Sequence, residues 1–498
     1  MRTSAPSQSS NYKWWAFVAI AIGTFTSVAD HGSVTVALPS IADHFRIDLP
    51  TTQWIVIGYA LTISALLLPM GRLSDIVGRK QVYVAGFVVF VIGAALAGSS
   101  ASILVLILSK VLQGVGAAMT QGTSMAMLVS AFSADERGRA LGLQMSVVGT
   151  GGVAGPALGG LLVSALGWRW VFHAEIVLGV LAIVAAMVVL DGRRVAQRDG
   201  SSRFDWLGAA LSTAAMVTFL LAMTNGPTVG WDSPQIAGAM LGFVALLTAF
   251  VWWELQAPVP MLDVRLFQRK LFSLGVAASF ISYLGMSSVR FLMPFYLQST
   301  LGYSAGQVGL IVVPSALSMG IMGPISGRLS DRYGWRRFNV GGLALSATGL
   351  FLLSTLSQES PLGLAMAGMI LQSFGLGMFN APNNSSILSA VERHRYGAIA
   401  GFLNLVRNSA NVTSIALATA IVTATMASMG YPPSLAAVSI GEGPGLLGAF
   451  AVGLRIAYLT MGSLALGGVV ASLLKGEQLV EAKPRSVEET DVWRDTSA

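Results

Sequence analysis

The chain has 498 residues, of which 54% are hydrophobic and only 11% charged, with a formal net charge of +7 and no cysteine. Ordinary soluble domains carry roughly 25% charged residues, so this is the composition of an all-α polytopic membrane protein with no large soluble domain. The lack of cysteine excludes disulfides, iron–sulfur clusters and thiolate metal sites, and four scattered histidines, His31, His44, His173 and His394, make no metal set.

In chain order, a polar segment (1–13) precedes an apolar run too long for a signal-peptide core and without a small-residue cleavage site, which predicts a retained first helix. Runs of about 20 apolar residues suffice to cross a bilayer. They predict fourteen helices: 14–41, 52–71, 81–99, 102–131, 139–166, 170–190, 205–224, 235–255, 271–299, 304–326, 339–357, 361–390, 397–427 and 448–474, before a polar tail at 475–498. Basic residues fall in every second connection, among them Arg72, Arg79, Lys80, Arg137, Arg139, Arg193, Arg194, Arg269, Lys270, Arg332, Arg336 and Arg393. The intervening loops hold only Arg46 and Arg169. The positive-inside rule then places the basic loops and both termini in the cytoplasm; the positive charge is a topology signal, and nucleic acid is not an expected partner.

The sequence repeats itself. "GRLSDIVGRK" from Gly71 recurs as "GRLSDRYGWRR" from Gly327, 256 residues on, and "LQGVGAAM" from Leu112 recurs as "LQSFGLGM" from Leu371, 259 residues on. Two six-helix halves (14–190 and 271–474) are expected in the same orientation, separated by a basic loop (191–204), two inserted helices (205–255) and a linker (256–270). Parallel halves of this kind build a midplane site between two rocking bundles.

Three motifs follow the helices. In the first repeat Gly71 and Gly78 permit tight turns, Asp75 can accept from a helix N-terminus or an arginine, and Arg79 supplies a fork; Asp331 is the second-copy counterpart of Asp75. "GGVAGPALGG", with Gly151, Gly155, Pro156, Gly159 and Gly160, gives helix 5 a smooth face for close approach and a bend at the proline. Counted from the loop near Asp135, Gly155 and Pro156 are level with Gly114 and Gly116 of helix 4. Helix 1 carries "TSVADHGSVTVALP". Together these motifs resemble the major facilitator superfamily, and the two extra helices and the acidic helix 1 ending in "VALP" resemble its 14-helix drug:proton antiporter family. The resemblance implies the major facilitator fold, a gate at Asp75 and Arg79, and an exporter motif in helix 5. Gly32, Ser33 and Thr35 depart from the family's helix 1 pattern, and Glu175 stands where asparagine is usual.

Intramembrane charge costs on the order of 2.5–3.5 kcal/mol and marks function by default. Asp30 shares a polar stripe with Thr26 and Ser33, whereas His31 points about 100° away. Asp30 is about ten residues from the outer end of helix 1 and Lys110 about eight from the outer end of helix 4, so a rise of about 1.5 Å per residue puts them at similar depth. Lys110 occupies the arginine position of the family's R-x-x-Q-G-x-G motif, with Gln113 following, and lysine can lose its proton where arginine does not. The expected proton-coupling set is Asp30, Lys110, His31 and Glu175; a static ion pair is the alternative for Asp30 and Lys110, a packing histidine for His31, and an interfacial position for Glu175. Substrate is expected at Arg290, Arg407, Asn404, Asn408, Asn380, Tyr59 and Gln113, with helix packing the alternative for the polar cluster and for the aromatic residues. No G-x-x-x-x-G-K-[ST] loop is present. The expectation is a proton-coupled exporter of small hydrophobic or amphiphilic compounds in the cell membrane, monomeric, without cofactor or enzymatic activity. The alternative is a carrier of an anionic metabolite or lipid on the same fold, suggested by Lys110, Arg290 and Arg407 outnumbering Asp30 and Glu175.

Overall fold

In the computed structural model the chain is described at residues 10–47, 49–133, 136–191, 204–392, 395–432, 435, 438 and 443–475. The expected N-terminal segment up to residue 9, most of the basic loop (192–203), the tail from 476, and Asp135, Arg393 and His394 lie outside them.

Fourteen long helices order the described chain: α1 Ser10–Phe45, α2 Leu49–Val77, α3 Arg79–Gly98, α4 Ile103–Ala131, α5 Arg137–Leu166, α6 Arg169–Val189, α7 Trp206–Val229, α8 Pro234–Gln256, α9 Lys270–Phe295, α10 Ala305–Tyr333, α11 Arg336–Ser354, α12 Leu362–Ser389, α13 Tyr396–Ser428 and α14 Pro444–Leu474. Thirteen are long and apolar enough to cross a membrane; α11, with 19 residues and two arginines in its first turn, is not among them. Local chemistry sets the ends. Ser102 accepts from the Val105 N–H, Ser304 and Gln307 form a reciprocal capping box, and Ser233 precedes Pro234 at the first helical position.

The repeated signature is mostly helix rather than loop. The expected ends at 71 and 326 become Val77 and Tyr333, because polar composition marks the exit from oil and does not break a helix, whereas glycine does. Gly78, at φ 123°, makes the sharp turn into α3 in a conformation strained for any L side chain.

The duplication is visible in the packing. The pairs α3/α4, α2/α4, α1/α5, α3/α6 and α1/α6 recur as α11/α12, α10/α12, α9/α13, α11/α14 and α9/α14. The halves meet along two seams, α5 against α10 and α2 against α13. The inserted α7 covers the second seam, donating from Thr213 to the Ala65 carbonyl of α2 and placing Met216 sulfur 3.4 Å from Ser409 of α13. Beyond α8 the chain folds back, with Glu254 accepting from the Leu262 N–H and Asp263 paired to Arg395 at 2.9 Å.

Candidate functional site

Both described termini and the α2–α3, α4–α5 and α10–α11 turns gather at one end of the bundle, the basic end. There the halves are latched twice. Asp75, on the last turn of α2, accepts from the N–H groups of Gly397 and Ala398 at 3.0 and 2.9 Å, the free donors of the first turn of α13. Asp331, on the last turn of α10, accepts from Gly138 and Arg139 at 3.0 and 3.1 Å, the first turn of α5. Arg79 closes the first latch with two hydrogen bonds to Asp75, at 2.9 and 3.2 Å, and one to Ser130 at 2.6 Å. The seams are backbone against backbone. A Cβ at Gly71 would sit 2.5 Å from the Gly397 carbonyl oxygen, and one at Gly138 or Gly142 would collide with Gly327 or Gly323.

At mid-depth the N-terminal half buries a chain of ionisable groups. Lys110 Nζ donates to Asp30 Oδ1 at 2.7 Å and to Gln113 Oε1 at 2.6 Å, and Gln113 Nε2 donates to Glu175 Oε2 at 2.6 Å. The ammonium also lies 4.2 Å from the centre of the Tyr59 ring. All five residues are at most 3% exposed. Asp30 faces Glu175 and Tyr59, yet Asp30 Oδ2, Glu175 Oε1 and Tyr59 OH have no hydrogen-bond partner. Two carboxyl groups against one ammonium leave one negative charge in excess unless a proton resides there.

Helix 5 grips the same turn of α1. A Cβ at Gly155 would meet the Ala29 carbonyl oxygen at 2.5 Å, one at Gly159 would meet the Ser33 Cα at 2.5 Å, and one at Gly32 would meet Pro156 Cδ at 2.5 Å. Gly151 lies on Val28 and Gly160 near Val36. The expected apposition to helix 4 is therefore corrected: Gly114 lies against Tyr59 and Thr62 of α2, and Gly116 against Gly86 and Phe90 of α3. Counting residues gives depth along a helix, not the direction a face points.

Between the halves lies a cleft with about 780 Å³ of space free of atoms, part of it open to solvent, lined from α1, α3, α4, α5, α9, α12 and α13. Of the expected substrate residues it takes Arg407 and Asn404; Asn404 also donates to the Gln121 carbonyl at 3.0 Å, and Arg407 reaches Gln121 Oε1 at 3.4 Å. Tyr59 and Gln113 are absorbed into the Lys110 network instead, because each fills space between α4 and its neighbours in the same half. Asn380 is buried and Asn408 half-buried, neither on the cleft wall. Arg290 and His31 are exposed, lie within electrostatic reach of each other, and stand nearer the end opposite the latches than the cleft does. Sequence reasoning missed Tyr83, Gln121, Ser124, Gln144 and Tyr283 on the wall. The polar positions Thr120, Gln121 and Ser124 share one face of α4 at helical spacing, which was the available signal; isolated tyrosines in apolar helices carry none.

The sequence pattern of the Major Facilitator Superfamily matches residues 20–414 and, starting again in the second half, 275–496. The riboflavin transporter RibZ of Clostridioides difficile (strain 630) is 32% identical over 408 residues, 82% of this chain and 87% of the relative. The multidrug resistance protein Stp of Mycobacterium tuberculosis (strain ATCC 25618 / H37Rv) is 29% identical over 78% of this chain and 72% of its own, and the tetracenomycin C resistance and export protein of Streptomyces glaucescens is 29% identical over 83% and 76%. Among solved structures the proton:xylose symporter XylE superposes with a TM-score of 0.65 at 13% identity, covering 94% of this chain and 97% of that one, a likeness of fold alone. With two duplicated six-helix halves and two inserted helices among the described residues, latched at one end around a central cleft, the chain belongs to the major facilitator superfamily and is a multi-pass membrane transporter of small molecules.

Proposed function

We propose that the protein is a proton-coupled exporter of small amphiphilic compounds, working by alternating access with its basic end and both termini in the cytoplasm. The observation that carries this is the buried Asp30–Lys110–Gln113–Glu175 chain on α1, α4 and α6, whose neighbouring turns line the cleft through Thr24, Ser27, Thr120, Gln121 and Ser124. In this reading Asp30 and Glu175 share one proton. A hydrogen between their two unpartnered oxygens satisfies both and cancels the excess charge against Lys110. Releasing that proton leaves an unbalanced buried charge, a cost of several kcal/mol that favours opening the site to water. Because α1 bears both Asp30 and part of the cleft wall, and α4 both Lys110 and part of that wall, the change in charge is felt where substrate sits. Gly155 and Pro156 of α5 clasp the Asp30 turn, so movement of α1 is handed to the seam with α10. In this reading the latched basic end closes the present conformation to the cytoplasm.

The test is a panel of cationic, neutral and anionic fluorescent dyes in everted membrane vesicles with an imposed pH gradient, acidic inside. Gradient-dependent accumulation of at least one dye, abolished by nigericin, is the expected result; no accumulation of any compound overturns the exporter reading.

A further inference from the structure

Charge on the cleft wall is one-sided. Among the described lining residues Arg407 is the single charged side chain, and no aspartate or glutamate joins it. The two acids buried at mid-depth in the N-terminal half, Asp30 and Glu175, are turned into the Lys110 network and sealed from the cleft. Arg407 itself is half-buried and under-used: a guanidinium offers five N–H donors, and here it makes one long contact, 3.4 Å to Gln121 Oε1. Tyr283 stands within its electrostatic reach. The path away from the latches continues the same sign. Moving away from the basic end, His31 is one turn beyond the lining residue Ser27 on α1, and Arg290 is about two turns beyond Tyr283 on α9; both are exposed. An organic cation entering this route meets a fixed positive charge and no counter-ion. A planar carboxylate, sulfonate or phosphate meets a fork able to bind it bidentately, with Met125, Met145 and Val148 to take an apolar body.

We propose that the cleft selects amphiphilic organic anions over organic cations, with Arg407 holding the acidic head and Arg290 drawing it toward the exit. The proposal rests on the exporter reading for the direction of travel but not for binding. Export of an anion against proton entry moves positive charge inward on both legs, so an inside-negative potential accelerates it, whereas exchange of one monovalent cation for one proton moves no net charge.

The test uses two dyes of one xanthene scaffold and opposite charge, carboxyfluorescein and rhodamine 123, with the purified full chain in nanodiscs, without any gradient, read by fluorescence anisotropy. Carboxyfluorescein is expected to bind at least about tenfold tighter. Arg407→Gln is expected to weaken it about tenfold while leaving rhodamine 123 unchanged or improved, and Arg407→Lys, which keeps charge but loses the fork, to fall between. If Arg407→Gln does not fold, the Lys variant and the dye ratio decide. Equal binding of the two dyes, tighter rhodamine 123, binding of neither, or wild-type carboxyfluorescein affinity in the folded Arg407 variants overturns the proposal. Since no gradient is applied, an anion preference can fail while proton coupling stands, and the reverse.

Discussion

In the N-terminal half, Lys110 and Gln113 of α4 tie Asp30 to Glu175. In the C-terminal half, 259 residues on, the same turn of α12 carries Met369 and Gln372, both buried, and Gln372 Nε2 has no partner. The helices around these turns pack alike, so the difference lies in chemistry and not in scaffold. It teaches that a duplicated bundle keeps its packing under constraint while charge is free to diverge: the proposed proton site stayed in one half, and the membrane-embedded arginines, Arg290 and Arg407, stand in the other. The latches diverged in the same sense. Asp75 has Arg79 beside it, whereas Trp335 occupies the Arg79 position of the second copy.

The sharpest way to break this comparison is to exchange the loads. Asp30→Asn is expected to abolish gradient-driven transport in a protein that still folds, while Gln372→Leu, at the silent counterpart, leaves transport within about twofold, since it removes an unpaired buried Nε2 together with one long bond accepted from Ser373. Equal losses in both would mean that the halves share the proton work. Next come the latches. Asp75→Asn removes charge-assisted bonds to two backbone N–H groups and to Arg79, each kind contributing about 1.5–3 kcal/mol, and is expected to shift the conformational balance away from the latched state by about tenfold or more. Asp331→Asn should shift it less. Because the chain has no cysteine, spin labels on pairs of introduced cysteines across α2 and α13 read this without background, and identical shifts would show the copies to be equivalent. Glu175→Gln keeps an acceptor for Gln113 but removes a proton site; infrared spectra at neutral pH should lose the carbonyl band of a protonated carboxyl, and coupled transport should fall about tenfold. A spectrum unchanged by the substitution would place the proton elsewhere.

The smallest effect is expected at the end of α14. Lys475, just beyond the last span, is 5% exposed and donates to Asn383 Oδ1 at 2.7 Å and to the Ser386 hydroxyl, with Trp335 4.9 Å away and no acid among its hydrogen-bond partners. Burial pushes its ammonium down to about 7. The unfolded chain holds that proton up to the ordinary lysine range, near 10.4, so between these values the unfolded state binds more protons and stability rises with pH. Thermal unfolding from pH 7 to 9 is expected to gain about 2 °C in the wild type relative to Lys475→Met; parallel curves would show that Lys475 stays charged.

The helix count, the duplication and the Asp30–Lys110 pairing were legible because a rise of 1.5 Å per residue turns sequence position into depth. Facing was not. Residue counting sets the glycines of α5 against α4, whereas they pack on α1, and it assigns Tyr59 and Gln113 to substrate, whereas they complete the Lys110 network. Which way a face turns depends on how the bundle closes, and near-uniform apolarity in these helices erases the periodic contrast that reveals it in soluble proteins.

Where Gly71 meets Gly397, Gly138 meets Gly327 and Gly142 meets Gly323, main chain closes directly on main chain across the seam. Such a surface neither titrates nor repacks, and every sequence change that adds a carbon acts as a wedge. The seam can thus be shut or ajar but not retuned by degrees, which leaves the side-chain bonds around it as the adjustable resistance to opening.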